Sequence, residues 1–142
     1  MITPEMLARS GTEHGEQAAL FCWAGLPEVR NRFPCLRWMF AIPNGGQRNK
    51  AVAGMLKAEG VKPGVADVML PVTQRGYTSH YSDPNAIRYA GLFIEMKRAN
   101  GKPSDIKESQ ADFREFVLSQ GYKHVVAFGW RQAAKAIEEY LS

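Results

Sequence analysis

The sequence predicts an α/β fold, a mixed β-sheet flanked by α-helices, and three observations carry that prediction. Four apolar stretches of strand length occur at 36–42, 65–72, 90–97 and 122–128. Segments with helical spacing precede, separate and follow the strands, giving the order α, β, α, β, β, α, β, α. The two directly consecutive strands suit a hairpin, whereas the last is reached through a helical crossover, the connection that parallel pairing requires.

Residues 13–25 form the first predicted helix, with Leu20, Trp23 and Ala24 sharing a face with Glu16, and Gly25-Leu26-Pro27 stops it. A connecting segment, 26–34, ends at Pro34. Leu36 to Ile42 is apolar and aromatic enough for a strand and halts at the turn formers Pro43-Asn44-Gly45-Gly46. Residues 47–59 follow as a helix with Val52, Met55 and Leu56 inward and Gly60 as its stop. After the turn Lys62-Pro63-Gly64 come strand 65–72, a long polar loop over 73–89 and strand 90–97. Ser104 or Asp105 caps the next helix, which carries Ile106, Gln110, Phe113 and Val117 on one side and ends at Gly121. Strand 122–128 and helix 130–141 complete the chain.

The 142 residues are the size of one domain, 1–142, and a 45% apolar fraction is enough to bury a core. No apolar run approaches the ~18 residues of a membrane span, and the N-terminus lacks the pattern of a signal peptide, so a membrane role is not expected and a cytoplasmic protein is. Cys22 and Cys35 match no disulfide or zinc spacing and read as buried reduced thiols. The net charge of +4 leans weakly toward a polyanionic partner.

Chemistry concentrates at "GLFIEMKRANGK", where Glu95 and Lys97 stand two residues apart on one face of a strand. Asp67 lies inside the preceding strand. If the two strands pair, Asp67 faces Glu95 at ~5 Å, and carboxylates that close raise each other's pKa unless a cation lies between them. Mg²⁺ suits two carboxylates plus a backbone carbonyl, that of Met96, with water or phosphate oxygens completing its shell. Each piece alone is what a solvated strand end or an ordinary surface ion pair looks like; the combination on strands patterned for burial is harder to dismiss. Glu16 and Gln110 are polar residues on otherwise apolar helix faces. Taken singly they are boundary residues, and together with the strand residues they supply a third carboxylate and an orienting amide.

The stretches "GVKPGVADVMLPV", "GLFIEMKRANGKPSDIKESQ" and "GYKHVVAFGWRQAAKAIEEYL" resemble the stand-alone, phage-type virus-type replication-repair nuclease (VRR-NUC) domain of the PD-(D/E)xK superfamily. "EHGEQAALFCWA" and "AIPNGGQRNKAVAGMLKAEG" are similar to its opening segments, so the resemblance spans about 12–141. It implies a restriction-endonuclease-like core. By that resemblance Asp67 and Glu95 are the metal-binding carboxylates, Lys97 the superfamily lysine, Gln110 the glutamine of the following helix and Glu16 the N-terminal helix acid. Glu13 is close enough in helix phase to compete with Glu16 for that place. Ala66 departs from the pattern, which has proline before the aspartate.

The resemblance further implies Mg²⁺- or Mn²⁺-dependent hydrolysis of DNA phosphodiesters by a homodimer acting on branched DNA, with Holliday-junction resolution as one form, in the cytoplasm of a phage or bacterial host cell. Arg48, Lys50, Arg98 and Lys102 are the expected phosphate contacts, or else solvated surface. Asn44, Gly45 and Gly46 either present backbone amides to a phosphate or form only a tight turn. The loop 73–89, with Arg75, Tyr77 and Tyr81, suits either DNA or a second subunit. Two other functions are compatible with the sequence. One is a DNA-binding module of the same fold that has lost catalysis, disfavoured by the complete Asp67, Glu95, Lys97, Gln110 set. The other is a small homodimeric interaction protein, which predicts no salt-sensitive DNA binding.

Overall fold

A computed structural model describes residues 1–43, 49–77 and 82–142. Its centre is a four-stranded sheet in the order β1 (Phe40–Ala41), β2 (Val68–Leu70), β5 (Leu92–Lys97) and β6 (Lys123–Phe128). β1 and β2 pair antiparallel, as do β2 and β5, while β5 and β6 run parallel, so the sheet is mixed. The expected hairpin and crossover are both present. The β2–β5 connection carries a second, two-stranded sheet formed by β3 (Gln74–Arg75) and β4 (Ile87–Tyr89), where the sequence suggested only loop.

One face of the main sheet holds the core. Helix α2 (Glu13–Ala24), started by the Thr12 hydroxyl accepting from the Gly15 N–H, lays Ala19, Leu20 and Trp23 against it. Helix α6 (Trp130–Leu141) adds Trp130, Ala133, Ala134, Ile137 and Tyr140, the spacing of one buried helical stripe. These side chains meet Val68, Leu70, Leu92, Ile94 and Met96 from the strands. A wholly buried aliphatic such as Ile137 or Ile94 contributes roughly 1.5–3 kcal/mol. On the opposite face, helix α5 (Glu108–Ser119) covers β5 and β6 only, through an edge-on Phe93–Phe113 contact at 5.2 Å.

Several elements differ from expectation. Residues 4–8, unassigned by sequence, form a short helix α1 (Pro4–Ala8), and 27–32 form helix α3 (Pro27–Arg32). The strand expected at 36–42 begins inside a 3₁₀ turn, Pro34–Trp38, because Pro34 at its first position fixes a helical φ. Within it only Phe40–Ala41 pairs as a strand. Helix α4 (Lys50–Ala58), capped by Asn49, stands largely in solvent; Val52 and Met55, expected inward, are exposed, Met55 by 63%. Asp105 caps a short 3₁₀ turn by accepting the Lys102 N–H, and α5 starts later, after Lys107. Cys22 and Cys35 are free thiols. No described helix is long and apolar enough to cross a membrane.

Candidate active site

Strand register decides which side chains meet. Val68 lies opposite Ile94, so Asp67, in the bend just before β2, comes beside the Ile94–Glu95 stretch of β5, and Asp67 and Glu95 line one cleft. The Asp67 backbone is held on both sides. Its N–H donates to the Ile94 carbonyl at 3.1 Å, and its carbonyl accepts from the Ile42 N–H at 2.8 Å. Its Oδ2 accepts from the Met96 N–H at 2.6 Å. Ala66, at the position of the expected proline, is fully buried.

Glu95 and Lys97 are 2% and 4% exposed, unusual for charged residues and tolerable only with partners. Gln110 supplies them. Its Nε2 donates to Glu95 Oε1 at 2.7 Å, and its Oε1 accepts from Lys97 Nζ at 3.0 Å and from the Lys107 N–H at 2.9 Å. The last bond belongs to the start of α5, so one side chain both begins the helix and bridges the buried acid and base. Lys97 Nζ also lies 3.6 Å from Glu95 Oε1 and 3.8 Å from Glu13 Oε1.

Gly64 brings the chain before β2 against the start of α5. At φ +87° it adopts a backbone that favours glycine, and a Cβ there would sit 2.4 Å from the Ser109 carbonyl oxygen. That contact sets the approach of the Asp67 segment to the Gln110 helix.

These residues line a cleft of about 230 Å³, with Glu13, Asp67, Glu95, Met96 and Gln110 in its wall and Lys107 and Ser109 at its rim. Burial, and then the charge of Asp67, push the Glu95 carboxyl up to about 8; Lys97 acts in the opposite direction. Glu95 is therefore mostly protonated at neutral pH unless a cation joins it. Its Oε2 is buried with no hydrogen-bond partner. By strand alternation the Met96 carbonyl faces the Asp67 side, as its N–H does. Two carboxylates, one of them with an orphaned oxygen, and a carbonyl fit a hard divalent cation that keeps several waters. Among the described residues no three of His, Cys, Asp and Glu stand together as a ready ligand group. An ion here would draw the rest of its shell from water or from a phosphate.

The structure brings together Asp67, Glu95, Met96, Lys97 and Gln110 from the sequence-predicted set. Glu16 is a correction. It is buried, and its Oε2 accepts from the Trp130 N–H at 2.8 Å, satisfying the first turn of α6 on the core side of the sheet. Three residues earlier on α2, Glu13 reaches the cleft instead. The polarity of Glu16 on an apolar stripe was a helix-capping signal. Lys107, Ser109 and His14 also line the cleft and were not singled out from sequence, since nothing in their spacing marks them. Lys50, Arg98 and Lys102 are exposed. Asn44 and Arg48 lie outside the described residues.

No family model and no curated protein matches the chain. Among solved structures, a chain called "VRR_NUC domain protein" is similar over 92% of this chain and 88% of that one, with a TM-score of 0.65 and 24% identity. The likeness establishes the fold. The mixed sheet with its flanking helices is the architecture expected from the sequence.

Proposed function

We propose that the protein is a metal-dependent DNA nuclease, an endonuclease selective for branched DNA that works as a homodimer, with Holliday-junction resolution as the particular form to test first. One observation carries the reading. Asp67, immediately before β2, and Glu95 of β5 line one cleft, with Gln110 hydrogen-bonded to the buried Glu95 carboxyl and Lys97 Nζ 3.6 Å from it.

Asp67, Glu95 and the Met96 carbonyl would hold Mg²⁺ or Mn²⁺, which when bound polarises a phosphodiester and lowers the pKa of its water. Asp67 contributes a carboxylate fixed in place by the Met96 N–H. Glu95 gives up its proton on loading, which costs little near its raised pKa. Lys97, held by Gln110, keeps an ammonium beside the cleft, where it stabilises charge growing on a phosphate or positions the attacking water. Glu13 faces that ammonium at 3.8 Å. Exposed Lys50, Arg98 and Lys102 are assigned to phosphate contacts that position DNA without reading its sequence.

The test incubates the protein with labelled four-way junction, flap and linear duplex, with and without Mg²⁺ or Mn²⁺, and maps the cuts. Symmetric paired nicks near the junction are expected. No metal-dependent cleavage of any substrate, or wild-type rates in Asp67→Ala and Glu95→Ala, would refute the assignment.

A further inference from the structure

The sheet face that carries Asp67 and Glu95 continues onto the edge strand, where Phe40 is exposed among the described residues. Register places Phe40 opposite Met69 and Met69 opposite Phe93, so Phe40 lies on the same face as the two carboxylates. Helix α5 covers Phe93 but leaves Phe40 48% exposed. Two residues earlier, beyond the buried Met39, Trp38 is 63% exposed. The Arg37 guanidinium lies over the Trp38 ring, 4.9 Å from its centroid. This aromatic pair is tied to the site through the backbone, since Ile42, two residues after Phe40, donates its N–H to the Asp67 carbonyl.

We propose that Trp38 and Phe40 form a stacking platform for unpaired bases next to the cleavage site, a role that rests on reading the cleft as one for a nucleic-acid phosphate. A base in duplex has both π-faces occupied by its neighbours; only an unpaired base presents one. An exposed indole with an arginine on it suits that base, and the cation serves the adjoining phosphate. Extended chain advances about 3.3 Å per residue, which puts Phe40 and Trp38 within a few nucleotides of a phosphate held at Asp67 and Glu95. Such a position would favour flapped or branched DNA over continuous duplex.

The experiment uses the full chain in chelator, so that nothing is cut, and titrates it with a short oligothymidylate and with a blunt duplex. Trp23 and Trp130 are buried, so quenching of tryptophan emission by the oligothymidylate reports on Trp38. Trp38→Ala should weaken oligothymidylate binding roughly five- to hundredfold, the loss expected for one stacked base. Phe40→Ala should do likewise, Trp38→Phe should retain most of the affinity, and duplex binding should change less than about twofold on the same grounds. Equal losses on both ligands, or no loss on either, would overturn the platform. So would a wild-type dimer that Trp38→Ala converts to monomer, because the patch would then be covered by a second copy. Loss of oligothymidylate binding in Trp38→Ala, together with a wild type that cleaves nothing when Mg²⁺ is added, would support the platform and sink only the nuclease reading.

Discussion

Replacing Gln110 with alanine removes one side chain and leaves two buried groups short of partners. Lys97 loses its shortest hydrogen bond, at 3.0 Å, and Glu95 its bond at 2.7 Å. The Lys107 N–H at the start of α5 loses its cap at 2.9 Å. A hydrogen bond to a charged group is worth about 1.5–3 kcal/mol and a neutral one about 1 kcal/mol, with extra cost when a buried group is left unsatisfied. Water entering through the cleft makes good part of this. The expected net loss is about 3 kcal/mol, which is roughly a hundredfold in the unfolding equilibrium. Urea unfolding in chelator measures it as a lowered midpoint with an unchanged slope. A loss below about 1 kcal/mol, within the range of an ordinary surface substitution, would mean that Gln110 does not join the acid and base.

Glu95→Gln keeps the shape of a protonated Glu95 and should be neutral to stabilising in chelator while abolishing metal-dependent cleavage, since function demands the charge that burial disfavours; a destabilised variant in a urea melt would contradict the raised pKa. Gly64→Ala should cost about 2–3 kcal/mol, because a methyl at φ +87° meets the Ser109 carbonyl at 2.4 Å, and a near-normal melting temperature would refute the clash. Glu16→Ala should lower stability by about 1–2 kcal/mol with little change in turnover on DNA, whereas Glu13→Ala should slow turnover and leave the melt unchanged. The reverse pattern would restore Glu16 to the site. Burial, reinforced by the charge of Arg114, lowers the His124 pKa to about 4 from an ordinary 6.5. The unfolded chain then takes up a proton that the folded one refuses, so stability falls as pH drops from about 6.5 to about 4. With allowance for solvent screening the fall is about 1–2 kcal/mol, and His124→Leu should flatten it in urea midpoints measured across that range.

The parts of this architecture that were legible in sequence share a physical cause. Strands 90–97 and 122–128, and the stripe Trp130, Ala133, Ile137, are set by a dense local apolar period, and they fold where it says. The Asp67–Glu95–Lys97 juxtaposition followed from period-two alternation together with one assumed pairing. Other features depend on contacts that local pattern does not encode. Val52 and Met55 have helical spacing, but both stand exposed, so amphipathicity alone misplaced them inward. Leu36 to Ile42 carries strand composition, yet Pro34 starts a 3₁₀ turn that takes its first three residues. Glu16 and Glu13 are three residues apart on one helix, and the difference between a helix cap and a cleft acid lies in where α6 begins, a tertiary fact.

Tyr140 bears on the order in which the molecule matures during synthesis. Its hydroxyl donates to the Val72 carbonyl at 2.5 Å, and its own carbonyl accepts from Gln74 Nε2 at 2.9 Å. Both bonds anchor the start of the long connection between the strand after Asp67 and the strand of Glu95. The ribosome releases Asp67, Glu95 and Gln110 well before it releases α6. Until that helix is made, Leu70 and Ile94 lack their cover and the connection lacks its anchor. A nascent chain therefore holds every polar group of the cleft before it has the helix whose packing aligns them.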